Sequence, residues 1–360
     1  MSSFQNNSLT FKNQSFYIGI DVHKKQWTIC VISMNLLLKK YVSIDPTPDT
    51  LLRFMKRRYP DGNYYAVYEA GFSGFWAARE LNKIGIHCIV THPADVPTSQ
   101  KERLNKSDRV DSNKLARSLS NGDLEAIYIP EKIAEEYRSL NRYRFQTVKD
   151  QTRLKNRIKS KLHYFGITMP CQFEERRWSG KFINWLLSIK FDIEFAQFAF
   201  NDLIKQLVEA RKRLTEILKT MRTMSKEVVS FSSIAPLLLT VPGIGFITTM
   251  TLLTEIIDMN RFKTFEKLAA YVGLIPSIQS SDEKEINLGI SDRRNKYLRT
   301  MLVEAAWKAV KVDPALTIKF ANLCRKMNNN KAIVRMAKIL LSRIRYVWKN
   351  QKPYINAVIA

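Results

Sequence analysis

The chain has 360 residues, of which 58 are lysine or arginine and 33 are aspartate or glutamate, so its formal net charge is +25 at pH 7. A positive surplus of this size predicts a polyanionic partner, and nucleic acid is the first candidate because lysine and arginine provide most of a protein's affinity for phosphates. A hydrophobic fraction of 45% with 11% aromatic residues excludes a disordered basic tail protein and, at this length, predicts two or three domains.

The cysteines and the apolar stretches bear on where the protein resides. Four cysteines are scattered, with no Cys-x-x-Cys pair and no cysteine–histidine cluster, which argues against a disulfide framework and a structural zinc site. Segment 1–14 lacks the apolar core of a signal peptide, and the longest apolar stretches, such as 234–241, are too short to span a bilayer. We therefore expect a cytoplasmic protein that does not enter a membrane.

The first strands are predicted near the N-terminus. Two apolar runs within 16–33 flank a polar His-Lys-Lys-Gln turn and predict a β-hairpin, with Asp21 near the end of its first strand. A third strand is predicted at 64–69, and it ends on Glu69. Both strands therefore lead into a carboxylate.

Helices and strands then alternate. Helical spacing is found over 72–85, a short strand is predicted at 87–90, and a helix is predicted from a serine cap at Ser107 to an Asn-Gly stop at 121–122. A hairpin followed by alternating helices and strands indicates a mixed α/β domain over residues 1–130.

The sequence changes character after residue 130. Glycine and proline become rare over 133–165, where basic residues surround a helical apolar face. In the next helical stretch, apolar residues recur at alternating steps of four and three. This spacing predicts either a core face or the seam of an antiparallel helical hairpin or an intermolecular coiled coil, and the sequence leaves these alternatives open. The residues of this seam are Leu203, Leu207, Ala210, Leu214, Ile217 and Met221.

A third region begins near residue 231. Its pattern predicts several short helices joined by loops, with a basic helix within 321–360. We therefore divide the chain into an α/β domain at 1–130, a helical coiled-coil segment at 131–230 and a mostly α-helical domain at 231–360.

Four carboxylates stand at positions that suit a metal site. Asp21 and Glu69 each follow a predicted strand, while Asp108 and Asp111 are three residues apart and so share one face of a predicted helix. Two divalent ions held by carboxylates can clamp the attacking and leaving oxygens of a phosphodiester. Mg²⁺ suits such hard oxygen ligands, with Mn²⁺ as the alternative. Taken one at a time, the same residues also fit a turn, a surface ion pair and the first turn of a helix.

The order of these carboxylates resembles the RuvC-like, RNase H-type fold in its DEDD form. The strings YIGIDVHKK, YEAGFSGFW, THPADVP and KSDRVDSNKLARSL are similar to the N-terminal domain of DEDD transposases of bacterial insertion sequences, the family that includes pilin-gene invertases. The similarity covers nearly the whole chain. It implies that Asp21, Glu69, Asp108 and Asp111 form the metal-binding tetrad of a bacterial, nucleoid-associated enzyme.

A glycine-containing turn is found in the third region. The segment TVPGIGFITTMTLL has the hydrophobic–Pro–Gly–hydrophobic–Gly spacing of a helix-hairpin-helix. Gly243 and Gly245 would let the backbone approach DNA, and amides at the start of the next helix can hold a phosphate. Contacts of this kind position a duplex without reading its sequence. An ordinary turn between two helices would show the same pattern.

The string LAAYVGLIPSIQSSDEKEINLGISDRRNKYLRTMLVEAAW resembles the C-terminal domain of the same transposases, in which a serine after a Gly-Leu-x-Pro turn is the proposed nucleophile. Counted from Pro276, the family's spacing implies Ser281, with the adjacent Ser280 as the alternative. The chain departs from the family at Ser277, usually a basic residue, and at Asp282, often glycine. A serine joined to DNA conserves the bond energy for rejoining. On the residues alone, the two serines would fit a polar loop.

Basic residues follow this serine closely and also form other runs. Arginine is suited to bidentate contact with phosphates, so we expect these residues to contact the backbone of a nucleic acid. The basic runs at 56–58 and 138–161 fit either a nucleic-acid track or a solvated helix face. The residues expected to contact nucleic acid are Lys284, Arg293, Arg294, Lys296 and Arg299, beside Gly243 and Gly245.

The residues and the resemblance together predict a DNA transposase, or site-specific recombinase, of a mobile element. It would cut and rejoin double-stranded DNA of element ends and target, with Mg²⁺ and a covalent serine step. The resemblance to bridge-RNA-guided serine recombinases further implies a structured guide RNA and a homodimer or homotetramer. The main alternative is a metal-dependent nuclease of the Holliday-junction-resolvase kind, which would need the tetrad but not Ser281. A non-enzymatic nucleic-acid-binding protein is the other alternative.

Overall fold

The protein consists of two compact units, Met1–Ile129 and Pro130–Ala360. The first holds a five-stranded sheet, and the second is largely helical. The computed structural model describes residues 10–34, 36–97, 108–173, 178–281, 284–290 and 294–356.

The first unit is built on a mixed sheet. Its strands are β1 (Ser15–Val22), β2 (Trp27–Ser33), β3 (Leu36–Ile44), β4 (Asn63–Glu69) and β5 (His87–Thr91). They lie in the order β3-β2-β1-β4-β5. The predicted hairpin is present, since β1 and β2 pair antiparallel, and β3 extends it at the edge. β4 pairs parallel with both β1 and β5, which requires longer crossover connections.

Helices cover both faces of this sheet. They are α1 (Pro48–Arg58), α2 (Trp76–Lys83) and α3 (Asp108–Asn121). Because side chains alternate along a strand, Ile18 and Ile20 of β1 point to the face on which α1 and α2 pack. α3 lies on the opposite face, where Leu115 packs against Val67 of β4. The mixed α/β architecture expected of this region is confirmed, and β3 and α1 are further elements that were not predicted from the sequence.

The second unit begins with a pair of long helices. α4 (Lys132–Tyr164) has 33 residues and α6 (Glu194–Glu227) has 34, and the shorter α5 (Gly180–Ser188) packs against them. The side-chain amide of Gln151 in α4 donates to the carbonyl of Ala210 in α6 over 2.9 Å. This buried hydrogen bond fixes the middle of the helix pair.

The rest of the second unit is a helical bundle that includes a two-stranded hairpin. Its helices are α7 (Val229–Leu239), α8 (Phe246–Ile256), α9 (Phe265–Val272), α10 (Lys296–Val312), α11 (Pro314–Cys324) and α12 (Asn329–Asn350). The strands β6 (Pro276–Ser281) and β7 (Lys284–Ile290) pair antiparallel between α9 and α10. The mostly helical character is confirmed, but a hairpin stands where the sequence predicted a loop. Among the described helices, each is too short or too polar to cross a membrane.

The apolar seam of α6 is used inside the chain. Leu207 and Ala210 lie in one core with α4 residues such as Leu154. Ile217 and Met221, further along the seam, lie in the larger core that α6 shares with α7, α8, α10 and α12. Of the alternatives that the spacing allowed, these residues form a core face inside the chain, partly within the pair of helices α4 and α6. The intermolecular coiled coil stays a prediction.

Candidate active site

α3 lies directly on β1 because residue 19 is glycine. A Cβ atom on Gly19 would lie 2.0 Å from the carbonyl oxygen of Ser112 and 2.5 Å from the amide nitrogen of Ala116, both backbone atoms of α3. Any side chain at this position would push the helix away from the sheet. The contact thus sets how closely the start of α3, which carries Asp111, approaches β1.

Asp21 and Glu69 lie near the carboxyl ends of two parallel strands. The register of β1 and β4 has Gly19–Val67 as its last pair, and Asp21 and Glu69 each follow that pair by two residues on their own strands. Residues two apart lie on the same face of a sheet, so both carboxylates share the face that α3 covers. The carboxyl ends of parallel strands are also the common place for ligands in α/β sheets.

The ammonium group of Lys114 lies between the carboxylates of Asp111 on α3 and Glu69 on β4. Nζ of Lys114 lies 3.4 Å from Oδ1 of Asp111 and 3.8 Å from Oε1 of Glu69. The lysine side chain is only 8% exposed, whereas those of Asp111 and Glu69 are 23% and 33% exposed. The structure therefore brings one carboxylate from the helix and one from the sheet to a single buried ammonium group.

Asp21 has a histidine neighbour on the turn that follows β1. Oδ2 of Asp21 lies 3.2 Å from Nε2 of His23, and the two side chains are 22% and 47% exposed. When protonated at Nε2, His23 donates to this carboxylate and restrains its orientation. The histidine is thus placed to orient Asp21, two residues earlier in the chain.

The donor type of these residues fits a hard divalent cation. Asp21, Glu69 and Asp111 offer carboxylate oxygens, the ligands that Mg²⁺ and Mn²⁺ prefer, and all three are partly exposed to solvent. Glu69 and Asp111 already share one cation, the Lys114 ammonium. Among the described side chains, acidic, histidine and cysteine groups form no cluster of three that could hold a metal. Asp108 opens α3, but its side chain lies outside the described residues.

The serine predicted as nucleophile lies in the second unit. Ser281 is the last residue of β6 and pairs with Lys284, the first residue of β7, while Ser280 pairs with Glu285. The two candidate serines therefore occupy successive positions at the closed end of the hairpin. The backbone of both strands is described, but their side chains lie outside the described residues.

The base of this hairpin is held by the helices on either side. Gly273 ends α9 with a φ of +83°, and a Cβ atom there would lie 2.3 Å from Cβ of Arg294. The amide of Asn295 donates to the carbonyl of Tyr271 over 2.9 Å, and the Asn295 side chain caps α10. The end of α9 and the start of α10, from which the two strands of the hairpin extend, are therefore held together.

A buried glutamate ties this base to α4. Nε and Nη2 of Arg142 donate to the two carboxylate oxygens of Glu255 over 2.8 and 2.9 Å, and the Glu255 side chain is fully buried. Nδ2 of Asn295 donates to the same carboxylate over 2.8 Å, and the Tyr271 hydroxyl donates to the Glu255 carbonyl over 2.9 Å. Nε of Arg138 lies 3.7 Å from the carboxylate. Glu255 thus links α4, α8, α9 and the start of α10.

The two glycines of the turn between α7 and α8 have different surroundings. Gly243 has a φ of +80°, and a Cβ atom there would lie 2.3 Å from the carbonyl oxygen of Ala305 in α10. Gly243 is therefore required for packing within the bundle. Gly245 is the N-cap of α8, is exposed and has no atom within 4 Å of an added Cβ. Of the two, only Gly245 is exposed at the start of a helix, so a contact with nucleic acid stays a prediction for this position.

The predicted basic residues gather at the start of α10. Arg294 and Lys296 are exposed on either side of the cap residue, and Arg299 is half-buried one turn later. Nζ of Lys296 lies 5.3 Å from the centre of the Tyr297 ring, which in turn lies 4.9 Å from the ring of Phe145 in α4. The cluster combines cations with aromatic rings, as nucleic-acid-binding surfaces do. Arg293, and the side chain of Lys284, lie outside the described residues.

Two residues of these sites were missed by the sequence analysis. Lys114 stands three residues after Asp111, a spacing that places both on one helix face, and this was the available signal. Glu255 is the acidic residue of the apolar string TLLTEII, and a carboxylate in such surroundings indicates a buried partner. Glu69, the second partner of Lys114, and Arg142, the partner of Glu255, are distant in sequence, so these two pairings could not be predicted.

Comparison with known proteins gives matches over both units. A family model described as the transposase IS116/IS110/IS902 family matches residues 235–321, and a second transposase model, of the DEDD type of IS110, matches residues 18–166. The protein y4qE of Sinorhizobium fredii, named as a transposase, is 28% identical over 81% of this chain and 71% of its own length. The protein y4rJ of the same organism, also named as a transposase, is 27% identical over 95% of this chain and 92% of its own length. The transposase for insertion sequence element IS1111A of Coxiella burnetii is 26% identical over 67% of this chain and 64% of its own length.

Proposed function

Since the chain belongs to the IS110/IS116 family of transposases, enzymes that cut and rejoin DNA, we propose that it does so with a metal-binding tetrad and a covalent serine. The tetrad would consist of Asp21, Glu69, Asp108 and Asp111, in a first unit of RuvC-like, RNase H-type fold. The nucleophile would be Ser281, as in bridge-RNA-guided serine recombinases and pilin-gene invertases.

One observation carries the tetrad part of this proposal. Glu69 at the end of β4 and Asp111 on α3 reach the same buried ammonium group of Lys114, and Asp21 follows the last β1–β4 pair by two residues, as Glu69 does. A glycine contact that tolerates no side chain sets how closely the helix that carries Asp111 approaches β1. Two carboxylates at one buried ammonium group, in a protein of net charge +25, support a role of this edge in binding cations.

The carboxylates would bind Mg²⁺ or Mn²⁺ and fix its position. Divalent ions held in this way stabilise charge on the attacking and leaving oxygens of a phosphodiester. His23 would restrain Asp21, with which it shares a 3.2 Å contact. The partial exposure of the three described carboxylates leaves room for a DNA backbone to approach.

The serine step would conserve the energy of the DNA backbone. The hydroxyl oxygen of Ser281 attacks phosphorus, its proton passes to a base, and the bond from phosphorus to one sugar oxygen breaks, leaving a DNA hydroxyl. A hydroxyl of another strand then attacks the serine phosphodiester and releases the serine. Support comes from the position of Ser281 at the closed end of a hairpin whose base is fixed by Tyr271 and Asn295.

The partners belong to the same proposal. Double-stranded DNA would contact the exposed residues at the start of α10 and the amides beside Gly245, with a helix-hairpin-helix role for that turn. A structured guide RNA, a homodimer or homotetramer and a nucleoid-associated location in the cytoplasm rest on the resemblance of the sequence. The net charge of +25 is compatible with both nucleic acids and does not separate them.

A nuclease of the Holliday-junction-resolvase kind is the alternative. One observation favours it: the tetrad lies entirely in the compact unit Met1–Ile129, which contains no part of the serine hairpin. Such an enzyme would cut DNA with the metal site alone. Its activity would be independent of Ser281.

A search for a covalent adduct separates the two functions. The purified protein is incubated with Mg²⁺, element-end and target DNA and the RNA transcribed from its own locus, then denatured and digested, and peptides are analysed by mass spectrometry. We expect a nucleotide on Ser281, its loss in Ser281→Ala and in Asp21→Asn, and its retention in the matched variant Ser280→Ala. Full cleavage by Ser281→Ala without any adduct would establish the nuclease instead.

A further inference from the structure

Lys114 is the most enclosed charged group among the described side chains at the carboxylate edge. Its side chain is 8% exposed, and its neighbours in α3, Leu115 and Ala116, are buried against the sheet. A lysine is rarely buried unless its ammonium group is paired. Here the pairing is with two carboxylates from different elements, Asp111 of α3 and Glu69 of β4.

The geometry of this contact is that of one cation shared by two anions. Charge-assisted hydrogen bonds from nitrogen to oxygen are usually about 2.7–2.9 Å long. The Lys114 distances of 3.4 and 3.8 Å are longer, so the ammonium is close to both carboxylates without making a short bond to either. A contrasting lysine is found on α2, where Nζ of Lys83 makes a short bond of 2.8 Å to Glu80 and the side chain is 67% exposed.

The Lys114 ammonium group cannot keep this position if Glu69 and Asp111 both bind a divalent metal ion. A divalent ion such as Mg²⁺ takes carboxylate oxygens at about 2.0–2.1 Å and with strict geometry. Oxygens of Glu69 and Asp111 that turned toward such an ion would turn away from Lys114. The ammonium group of Lys114 and a divalent ion bound to the same carboxylates would also repel each other.

We propose that Lys114 is a positioning residue that takes the place of a divalent cation: it holds Glu69 and Asp111 together in the metal-free protein and is displaced when the metal binds. The inference rests on the proposed function, because it requires that these carboxylates bind metal. Its consequence is that the lysine lowers metal affinity while keeping the site assembled. Metal entry then exchanges one cation for another and does not have to gather dispersed carboxylates.

The first test follows Lys114 itself in the unaltered full-length protein. The protein is treated briefly with an amine-acetylating reagent, with and without Mg²⁺ or Mn²⁺ alone, and acetylation of each lysine is read by mass spectrometry. We expect Lys114 to be nearly unlabelled without metal and to become severalfold more reactive with it. Lys83 is the matched control, an ion-paired lysine of the same unit whose labelling should not respond to metal.

The second test measures the metal affinity that the lysine sets. Lys114→Met keeps the apolar length of the side chain and removes its charge, and Lys114→Arg keeps the charge. By calorimetry, Lys114→Met should bind Mn²⁺ roughly tenfold more tightly than the unaltered protein, and Lys114→Arg should stay close to it. Without metal, Lys114→Met should melt at a lower temperature, and Mn²⁺ should raise its melting temperature more than that of the unaltered protein.

The outcomes separate this inference from the proposed function. Metal binding of equal strength in the unaltered protein and Lys114→Met, with Lys114 labelling unchanged by metal, would overturn the role of the lysine and leave the metal site standing. Absence of metal binding in both proteins would overturn the metal site and the inference with it. The labelling test needs no variant, so it decides the question even if Lys114→Met does not fold.

Discussion

Arg142 and Glu255 are 113 residues apart in the sequence and form a two-bond ion pair, with Nε to Oε1 at 2.8 Å and Nη2 to Oε2 at 2.9 Å. The glutamate is fully buried, and the arginine is 41% exposed. The pair connects α4 to α8 at the base of the serine hairpin. It shows that the position of the hairpin depends on a helix that begins more than a hundred residues earlier in the chain.

Replacing this glutamate should destabilise the second unit. Glu255→Gln leaves Arg142 without a carboxylate and Arg138 without its nearby charge, and breaking one side of a buried pair commonly costs about 3–5 kcal/mol. Because Arg142 is partly exposed to solvent, we expect the free energy of unfolding to fall by about 3 kcal/mol. Urea denaturation gives this value. Glu266→Gln, at an exposed position in α9, should change it by less than about 0.5 kcal/mol, and an equal effect of the two would contradict the assigned role.

Gly19 provides a test of how the carboxylate edge is assembled. In Gly19→Ala the new methyl group would meet backbone atoms of Ser112 and Ala116 at 2.0 and 2.5 Å, and a helix backbone cannot yield locally. We expect a loss of at least about 2 kcal/mol in stability and a loss of Mn²⁺ binding in calorimetry. Gly71→Ala is the control, since the nearest atom to its added Cβ is 4.0 Å away. Normal metal binding by Gly19→Ala would show that α3 need not touch β1.

The two glycines of the α7–α8 turn should respond differently to the same change. Gly243→Ala forces a residue with a Cβ into a φ of +80° and against the Ala305 carbonyl at 2.3 Å, so we expect a loss of about 3 kcal/mol. Gly245→Ala meets no neighbouring atom and should cost less than about 1 kcal/mol, as expected for an N-cap. Thermal unfolding compares the variants directly. Similar losses in the two would refute the packing role of Gly243.

Asp313 should make the stability of the second unit dependent on pH. It caps α11 and accepts from Nη1 of Arg343 at 2.9 Å and from the Tyr354 hydroxyl at 2.5 Å. Burial alone would raise its pKa, but the hydrogen bonds from Tyr354 and the Leu316 amide and the nearby Arg343 lower it below the ordinary value. A lowered folded-state pKa stabilises the fold above the ordinary aspartate pKa, and this contribution is lost as the pH falls through the lowered value.

The measurement is urea denaturation of the unaltered protein and Asp313→Asn across the acid range. The difference between them should be largest at neutral pH and should shrink as the pH falls below about 4. Tyr354→Phe removes one of the bonds and should give a smaller loss with the same pH dependence. A difference that grew toward acid pH would mean that Asp313 is not ionised in the folded protein.

Much of the first unit could be predicted because its signals are local. The hairpin of β1 and β2, the strands that end near Glu69 and Thr91 and the helix that carries Asp111 all follow from apolar periodicity and turn residues. α1 also had a local signal, Thr47 as cap before Pro48, which the sequence analysis did not use. β3 was harder to find, since Leu36 and Leu37 are exposed and the strand lies at the sheet edge.

The remaining features depend on contacts between distant segments. The seam of α6 has the same spacing whether its partner is α4 of the same chain or another molecule, so periodicity could not choose between them. The hairpin of β6 and β7 is rich in polar residues and resembles a loop in sequence. In sequence, Lys114 and Glu255 look like ordinary helix residues. Their importance becomes evident only when the fold places Glu69 beside Lys114 and Arg142 beside Glu255. Their roles therefore came only from the fold.

The contact of Gly19 with α3 has a consequence for the gene. Every base change in the first or second position of a glycine codon that leaves a sense codon introduces a side chain, and no side chain fits between β1 and the backbone of α3. Reading this one codon in related genes would therefore identify products that have lost this part of the fold, even where all four acidic residues are intact.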